Sequence, residues 1–392
     1  METPLINNIK RDPKSFDLVL FVLVVVLSAF GLLVVASNTG MGSGGGASAT
    51  FISQLVFVLT GIGIMLLAAF VNFETICKFY LPLYGVNIIL LIVVLIIPQT
   101  YSSVSRWLGV RVGETMLGIQ PSEFAKVFMV IFLATLIYKY REQINKLWVV
   151  GMVVGATLVT FVLIFIQPSW SASTVPLFIM VAMLFVGGIS WKYIVFTSII
   201  LVPAALFFFI ELHAETPLIL DRLVGDWQLQ RIYSLWYPEL GTDATMQNEQ
   251  ALAALRSGLL TGRGLFNNTI TVFESSNDFI LSIIGAEFGF LGVVVVLALL
   301  FAVVIRCFMI AHRAQNLMGR LIAAGVGAAV AFQTFVHVGV NTWFLPNTGI
   351  NLPFISSGGS STWVFLAMIG LVINVGMTRE YSMFEDWGSG KK

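Results

Sequence analysis

Ten stretches of this chain each run for roughly 20 residues with almost no charge, the length at which a helix crosses the hydrocarbon core of a bilayer. They lie near 17–37, 51–71, 77–97, 120–138, 147–166, 172–189, 191–211, 279–304, 320–343 and 361–378. Only 10% of the 392 residues are charged and 58% are hydrophobic, whereas a soluble domain carries about 25% charge. Transmembrane β-barrels show short strands of alternating polarity, and that pattern is absent. The fold class expected is therefore an all-α polytopic membrane protein of about ten transmembrane helices, forming one integral-membrane domain over 1–392. The first apolar run exceeds a signal-peptide core and has no A-x-A-like site after it, so it is expected to stay in the mature protein.

Lys and Arg concentrate on the cytoplasmic side of bilayers. Both tails, 1–16 and 379–392, become cytoplasmic if Lys10, Arg11, Lys14, Arg379, Lys391 and Lys392 obey that rule. The longest polar loop, 212–277, then lies outside between helices seven and eight. Seven basic residues fall on the disfavoured side: Arg106, Arg111, Lys126, Arg222, Arg231, Arg256 and Arg263. Of these, Arg106, Lys126 and Arg231 suit an anionic ligand, and Arg222 and Arg256 read as solvated charges.

Several classes are excluded or disfavoured. Net charge is +1, with no basic run interleaved with aromatics, so nucleic acid is not an expected partner. Cys77 and Cys307 both map to the cytoplasmic side, where a disulfide is not expected. The three histidines are scattered without zinc-site spacing. Gly42 to Gly46 lack the Lys-Ser/Thr of a phosphate-binding loop and read as a linker.

The chemistry-bearing residues gather at one membrane level. Asp278 closes the long loop at the mouth of the eighth apolar run, flanked in sequence by Glu274 and Glu287. An Asp before a helix is commonly an N-cap; a lone carboxylate there can equally serve as a general base on a hydroxyl. Glu123 and Lys126 are spaced i,i+3, so they form either a self-neutralising ion pair or a cavity lining. Gln120 precedes them. Arg106 is an interfacial anchor or a bidentate phosphate ligand. Ser356 to Ser361, including Ser357 and Ser360, either cap the last helix or offer N–H groups to an anion. Pro346 and Pro353 bracket a re-entrant turn. His337, alone on a helix, reads as an interior hydrogen-bonded residue. Gln247 to Leu255 have helical spacing.

Taken in order, these residues resemble the SEDS family, the FtsW/RodA group of membrane glycosyltransferases, along the whole chain. The marks are Arg106-Trp107, Gln120-Pro-Ser-Glu123-x-x-Lys126, Gln167-Pro168, Arg231, Gln247-x-x-Gln250, Ser257-Gly258, Gly262-x-Gly264, Asp278-Phe-Ile, Glu287-x-Gly289 and Leu352 to Ser361. The resemblance implies polymerisation of lipid II, an undecaprenyl-diphosphate disaccharide-peptide, with a class B penicillin-binding protein as partner, in the cytoplasmic membrane. It places the catalytic carboxylate on Asp278 and a substrate-binding set on Arg231, Arg106, Lys126, Glu123, Gln120, Ser357 and Ser360. A divalent cation, Mg or Mn, is the alternative source of positive charge for the diphosphate. Departures from the family pattern fall at Pro168-Ser-Trp-Ser171, at Phe273-Glu-Ser-Ser-Asn277 and at Ala286. Two other function classes stay open here: a flippase for the lipid-linked precursor, and a non-enzymatic scaffold. Features of the division and elongation branches are mixed, with more of the former.

Overall fold

The computed structural model describes residues 9–39, 48–97, 106–112, 115–167, 169–193, 195, 231, 233–237, 243–267, 272 and 275–380. In chain order, β1 (Ile9–Arg11) leads into α1 (Leu18–Asn38) and α2 (Ala49–Phe70). A short α3 (Phe73–Lys78) runs into α4 (Tyr80–Ile96). The strands β2 (Leu108–Val112) and β3 (Thr115–Ile119) precede α5 (Pro121–Lys139), α6 (Leu147–Ile166) and α7 (Trp170–Val186). Then follow α8 (Asp243–Ser257), α9 (Ile280–Arg313), α10 (Leu317–Asn341), α11 (Gly359–Gly376) and β4 (Thr378–Glu380).

Among the described residues, seven helices are long and apolar enough to cross a membrane, and α4 and α7 are shorter apolar helices. These account for nine of the expected spans, with ends shifted by a few residues. The exception is α9, which continues to Arg313 rather than ending near 304. The expected seventh span, 191–211, lies outside the described residues apart from 191–193 and 195, as do Gly42 to Gly46, Arg222 and Glu274.

Two short strand pairs accompany the helices. In β2 and β3, β-branched Val110, Val112, Thr115 and Ile119 favour an extended pair, in register Leu108↔Ile119 to Val112↔Thr115. At the chain ends, β1 pairs antiparallel with β4, Ile9 opposite Glu380. That pairing sets the segment before α1 beside the segment after α11. An ion pair of Arg306 and Asp17, 3.1 Å, fastens α9 to the start of α1. Asp278 lies at the other end of α9.

The centre of the bundle is made by α5, α10 and α11, which are mostly buried. Small residues let these helices approach without a hydrophobic driving force from lipid. A side chain on Gly370 would meet the Met65 carbonyl at 2.3 Å, so α2 and α11 touch backbone to backbone there. A side chain on Gly31 would meet Ile355 O at 2.6 Å. Gly31 therefore admits the loop after α10 into the bundle, where Ile350, Leu352, Phe354 and Ile355 are buried. This is the re-entrant turn expected between the two prolines.

The second device is a break in α9 at Gly289, whose φ is 66°. A broken helix frees backbone groups that must be satisfied again inside a membrane protein. The loop after α8 supplies the partners. Phe290 N donates to Leu259 O at 2.9 Å and Leu291 N to Leu260 O at 3.1 Å. In return Arg263 N donates to Ala286 O and Gly264 N to Glu287 O, both at 3.0 Å. Gly289→Ala would place its Cβ 2.4 Å from Gly262 N and 2.5 Å from Leu260 O, in a left-handed conformation. A destabilisation of at least about 2 kcal/mol is expected, read as a lower unfolding temperature of the solubilised protein. An unchanged unfolding temperature would mean that the loop is not seated on the break.

Candidate active site

The turn 275–279 carries Asp278 and is tied down along its length. Asn38 Nδ2 donates to both Ser275 Oγ and Ser276 Oγ at 2.8 Å. Ser357 N donates to Ser276 O at 2.9 Å, and Ser356 Oγ to Asn277 O at 2.7 Å. Two serines where the family pattern differs thus anchor the turn to the end of α1.

The N-cap role open to Asp278 is not the one observed. The cap position of α9 is Phe279, without a side-chain cap bond. Instead Asn341, at the end of α10, reaches across. Its Oδ1 accepts from Ser282 N at 3.1 Å and from Ser282 Oγ at 2.8 Å. Its Nδ2 donates to Asp278 O at 3.1 Å. The carboxylate faces Gly349 of the re-entrant loop. A side chain on Gly349, φ +66°, would meet Asp278 Oδ2 at 3.1 Å and Arg231 Nη1 at 3.9 Å. Carboxylate and guanidinium therefore both approach Gly349, and their charges are coupled.

Arg231 Nη1 donates to Asn347 O at 3.0 Å, and Asn347 Nδ2 donates to Gln247 Oε1 at 2.7 Å. Gln247 of α8 is in this way joined to the same loop. Burial pushes the Arg231 pKa down to about 10, the like charge of Arg106 adds to the fall, and Asp278 opposes it. Arg106 is lowered for the same first reason, burial, again opposed by Asp278. Both stay cationic at neutral pH, and an arriving phosphate anion would offset the desolvation they bear. Arg106 Nε donates to Gln167 O at 3.2 Å, which joins two of the sequence marks. Arg256, by contrast, is exposed at the end of α8.

Glu123 and Lys126 form the ion pair that their spacing offered. Lys126 Nζ lies 2.8 Å from both carboxylate oxygens of Glu123 and from Gln333 Oε1. Lys126 is fully buried and its ammonium sits 5.0 Å from the Phe365 ring centre. Three acceptors and a ring face replace the water that the ammonium has lost. Gln120 N donates to Ser360 Oγ at 2.9 Å, so the first turns of α5 and α11 are fastened together. Ser360 is buried in that bond, and the Ser357 backbone holds the Asp278 turn.

Glu287 does not flank Asp278 in space. Nine residues further along α9, roughly 13 Å by helical rise, its Oε1 accepts from the Ser37 hydroxyl, and Ser37 Oγ accepts from Phe266 N. It holds α1 and the α8–α9 loop together. Among the described residues no group of three or more His, Cys, Asp or Glu stands together. Among the described residues the site holds one carboxylate coupled to two guanidiniums, and no step below is routed through a divalent cation.

Gln333, Asn341 and Gly349 organise this site, and none was a sequence candidate. Two left a trace: Gln333 and Asn341 are eight residues apart with His337 midway, one polar stripe on an apolar helix.

A model of the cell cycle protein family FtsW/RodA/SpoVE matches residues 17–381. The chain belongs to that family. A probable peptidoglycan glycosyltransferase FtsW of Trichlorobacter lovleyi is 30% identical over 92% of this chain and 93% of its own length. The protein of the same name from Bacillus subtilis is 29% identical over 95% and 94%, and stage V sporulation protein E of that organism 30% over 94% and 98%. A solved chain from a peptidoglycan synthase complex that coordinates polymerization and crosslinking aligns with a TM-score of 0.73 at 25% identity, covering 92% of this chain and 97% of that one. The rod shape determining protein RodA of Thermus thermophilus aligns with a TM-score of 0.65 at 25% identity, over 92% and 96%. Like its family, the protein is a multi-pass protein of the cytoplasmic membrane.

Removing one partner of a buried ion pair strands the other, at about 3–5 kcal/mol. Lys126→Met is therefore expected to destabilise more than the double change Glu123→Gln/Lys126→Met. Thermal unfolding of the four members of that cycle measures it, and additive effects would mean that the two side chains do not interact.

Proposed function

We propose that this chain is a peptidoglycan glycosyltransferase that polymerises lipid II into glycan strands at the outer face of the cytoplasmic membrane. The observation that carries the reading is the approach of Asp278 Oδ2 and Arg231 Nη1 to Gly349, with Arg231 and Arg106 both coupled to that carboxylate. A base near cations is what transfer from a sugar diphosphate requires. The Asp278 carboxylate takes the proton of the acceptor sugar hydroxyl as that oxygen bonds to the anomeric carbon of the donor. The bond from that carbon to the diphosphate breaks on the opposite face, with inversion, and the electron pair leaves on the diphosphate oxygen. Arg231 and Arg106 offset the charge that develops there, so no acid is needed to protonate the leaving group.

The names of the relatives support this reading over a flippase or a bare scaffold, and the most similar relatives named above favour division-type FtsW. The Glu123–Lys126 pair joins α5 to α10 through Gln333, and Gln120 joins α5 to α11 through Ser360. A class B penicillin-binding protein is the proposed partner, since a similar fold occurs in a peptidoglycan synthase complex.

Two variants test the proposal in the purified full chain with lipid II. Asp278→Asn is expected to keep its unfolding temperature and lose polymerisation; glycan strands at the wild-type rate would sink the assignment. Arg231→Lys keeps the charge and loses the fork. It is expected to lower turnover about tenfold or more, roughly 1.4 kcal/mol, while Arg256→Lys stays near wild type. Equal, small effects at both arginines would remove Arg231 from the site.

A further inference from the structure

One face of α10 carries Gln333, His337 and Asn341, each a helical turn from the next, in a helix built mostly of Ala, Gly and Val. All three are buried. Each bonds either to the loop that holds Gly349 or to the Asp278 turn. Gln333 Nε2 donates to Asn351 O at 3.0 Å. His337 Nδ1 lies 2.8 Å from Ile350 O. Asn341 Nδ2 donates to Asp278 O at 3.1 Å. The stripe thus runs from the Lys126 ion pair to the turn of Asp278, bracing two carbonyls just after Gly349.

His337 is the rung without another explanation. A carbonyl can only accept, so the proton of the ring is on Nδ1 and Nε2 is a bare acceptor. Nε2 has no hydrogen-bond partner among the described residues, and the ring is fully buried. A leucine fills similar space without a desolvated nitrogen. What the imidazole adds to this core is the single bond from Nδ1 to Ile350 O.

We infer that His337 is a positioning residue for Asp278. By holding the Ile350 carbonyl it fixes the left-handed turn at Gly349, which Asp278 and Arg231 both approach. Gln333 and Asn341 brace the turns on either side. The inference rests on the reading of Asp278 as the base. His337 touches no substrate and moves no proton; it acts through the loop. The tolerance is small, because a Cβ on Gly349 would already stand 3.1 Å from Asp278 Oδ2. A displacement of about 1 Å at a reacting group can lower a rate by around a hundredfold.

Isosteres separate this role from simple packing. The amide nitrogen of asparagine occupies the place of Nδ1, and that of glutamine the place of Nε2. Full-chain His337→Asn, His337→Gln and His337→Leu are compared with wild type and with Asp278→Asn over a lipid II titration, alongside unfolding temperatures. His337→Asn is expected to keep kcat within about threefold of wild type, and His337→Gln and His337→Leu to lose about tenfold or more in kcat, with KM within about twofold. Should His337→Leu fail to fold, the Asn and Gln variants decide alone. His337→Asn no more active than His337→Gln would overturn the inference, as would losses that follow KM or the unfolding temperature. If Asp278→Asn polymerises like wild type, the base reading itself has failed. If that variant is dead while every His337 variant is active, only the positioning role has failed.

Discussion

A carboxylate at the edge of an apolar bundle stays ionised only where cations and donors replace the water it has lost. Asp278 is coupled to Arg231 and Arg106, and much of the surrounding structure bears on that group. The two arginines come from segments far apart in sequence, and both bear the desolvation that lowers their pKa. The loop after α10 holds Arg231 through Asn347 O and faces the carboxylate at Gly349, while Arg106 is held by Gln167 O. The second buried charge, Lys126, is closed off by Glu123 and Gln333. That site is saturated and reads as scaffold, whereas the Asp278 carboxylate is coupled to two guanidiniums.

Close backbone contact makes the arrangement rigid. Gly31 admits Ile355, Gly370 admits Met65, and Gly258, Gly262 and Gly289 interlock the loop after α8 with the break in α9. Each is a place where a single methyl group would push two segments apart. The conformational range of Gly289 and Gly349 is used for its geometry: one redirects α9, the other clears space for the Asp278 carboxylate. Glu287 and Ser37 then tie the break to α1, whose last turn also holds Ser275 and Ser276 through Asn38.

Hydropathy made the bundle legible, since runs of about 20 apolar residues have few alternatives to a membrane helix. The charged candidates were legible for the complementary reason, that charge in such surroundings is costly and conspicuous. Helical spacing correctly paired Glu123 with Lys126. The β2–β3 hairpin was hidden because its short strands sit inside what reads as a polar loop. Asn341 and Gln333 were hidden because a neutral amide on an apolar helix raises no alarm by itself, and their partners are backbone carbonyls far away in sequence. The same holds for Gly349: its importance lies in what stands over it. The N-cap reading of Asp278 failed because local sequence cannot reveal that Asn341 takes the capping work from another helix.

The central claim is that an anionic oxygen at position 278 takes the proton. The chain has only two native cysteines, Cys77 and Cys307, both buried, so a cysteine introduced at the site can be oxidised selectively to a sulfinate. Glycan strand formation by Asp278→Cys, before and after that oxidation, with wild type treated in parallel, is the most direct measurement. The account predicts no strands from the thiol form and recovered polymerisation from the sulfinate. Polymerisation by the thiol form at the wild-type rate would contradict it.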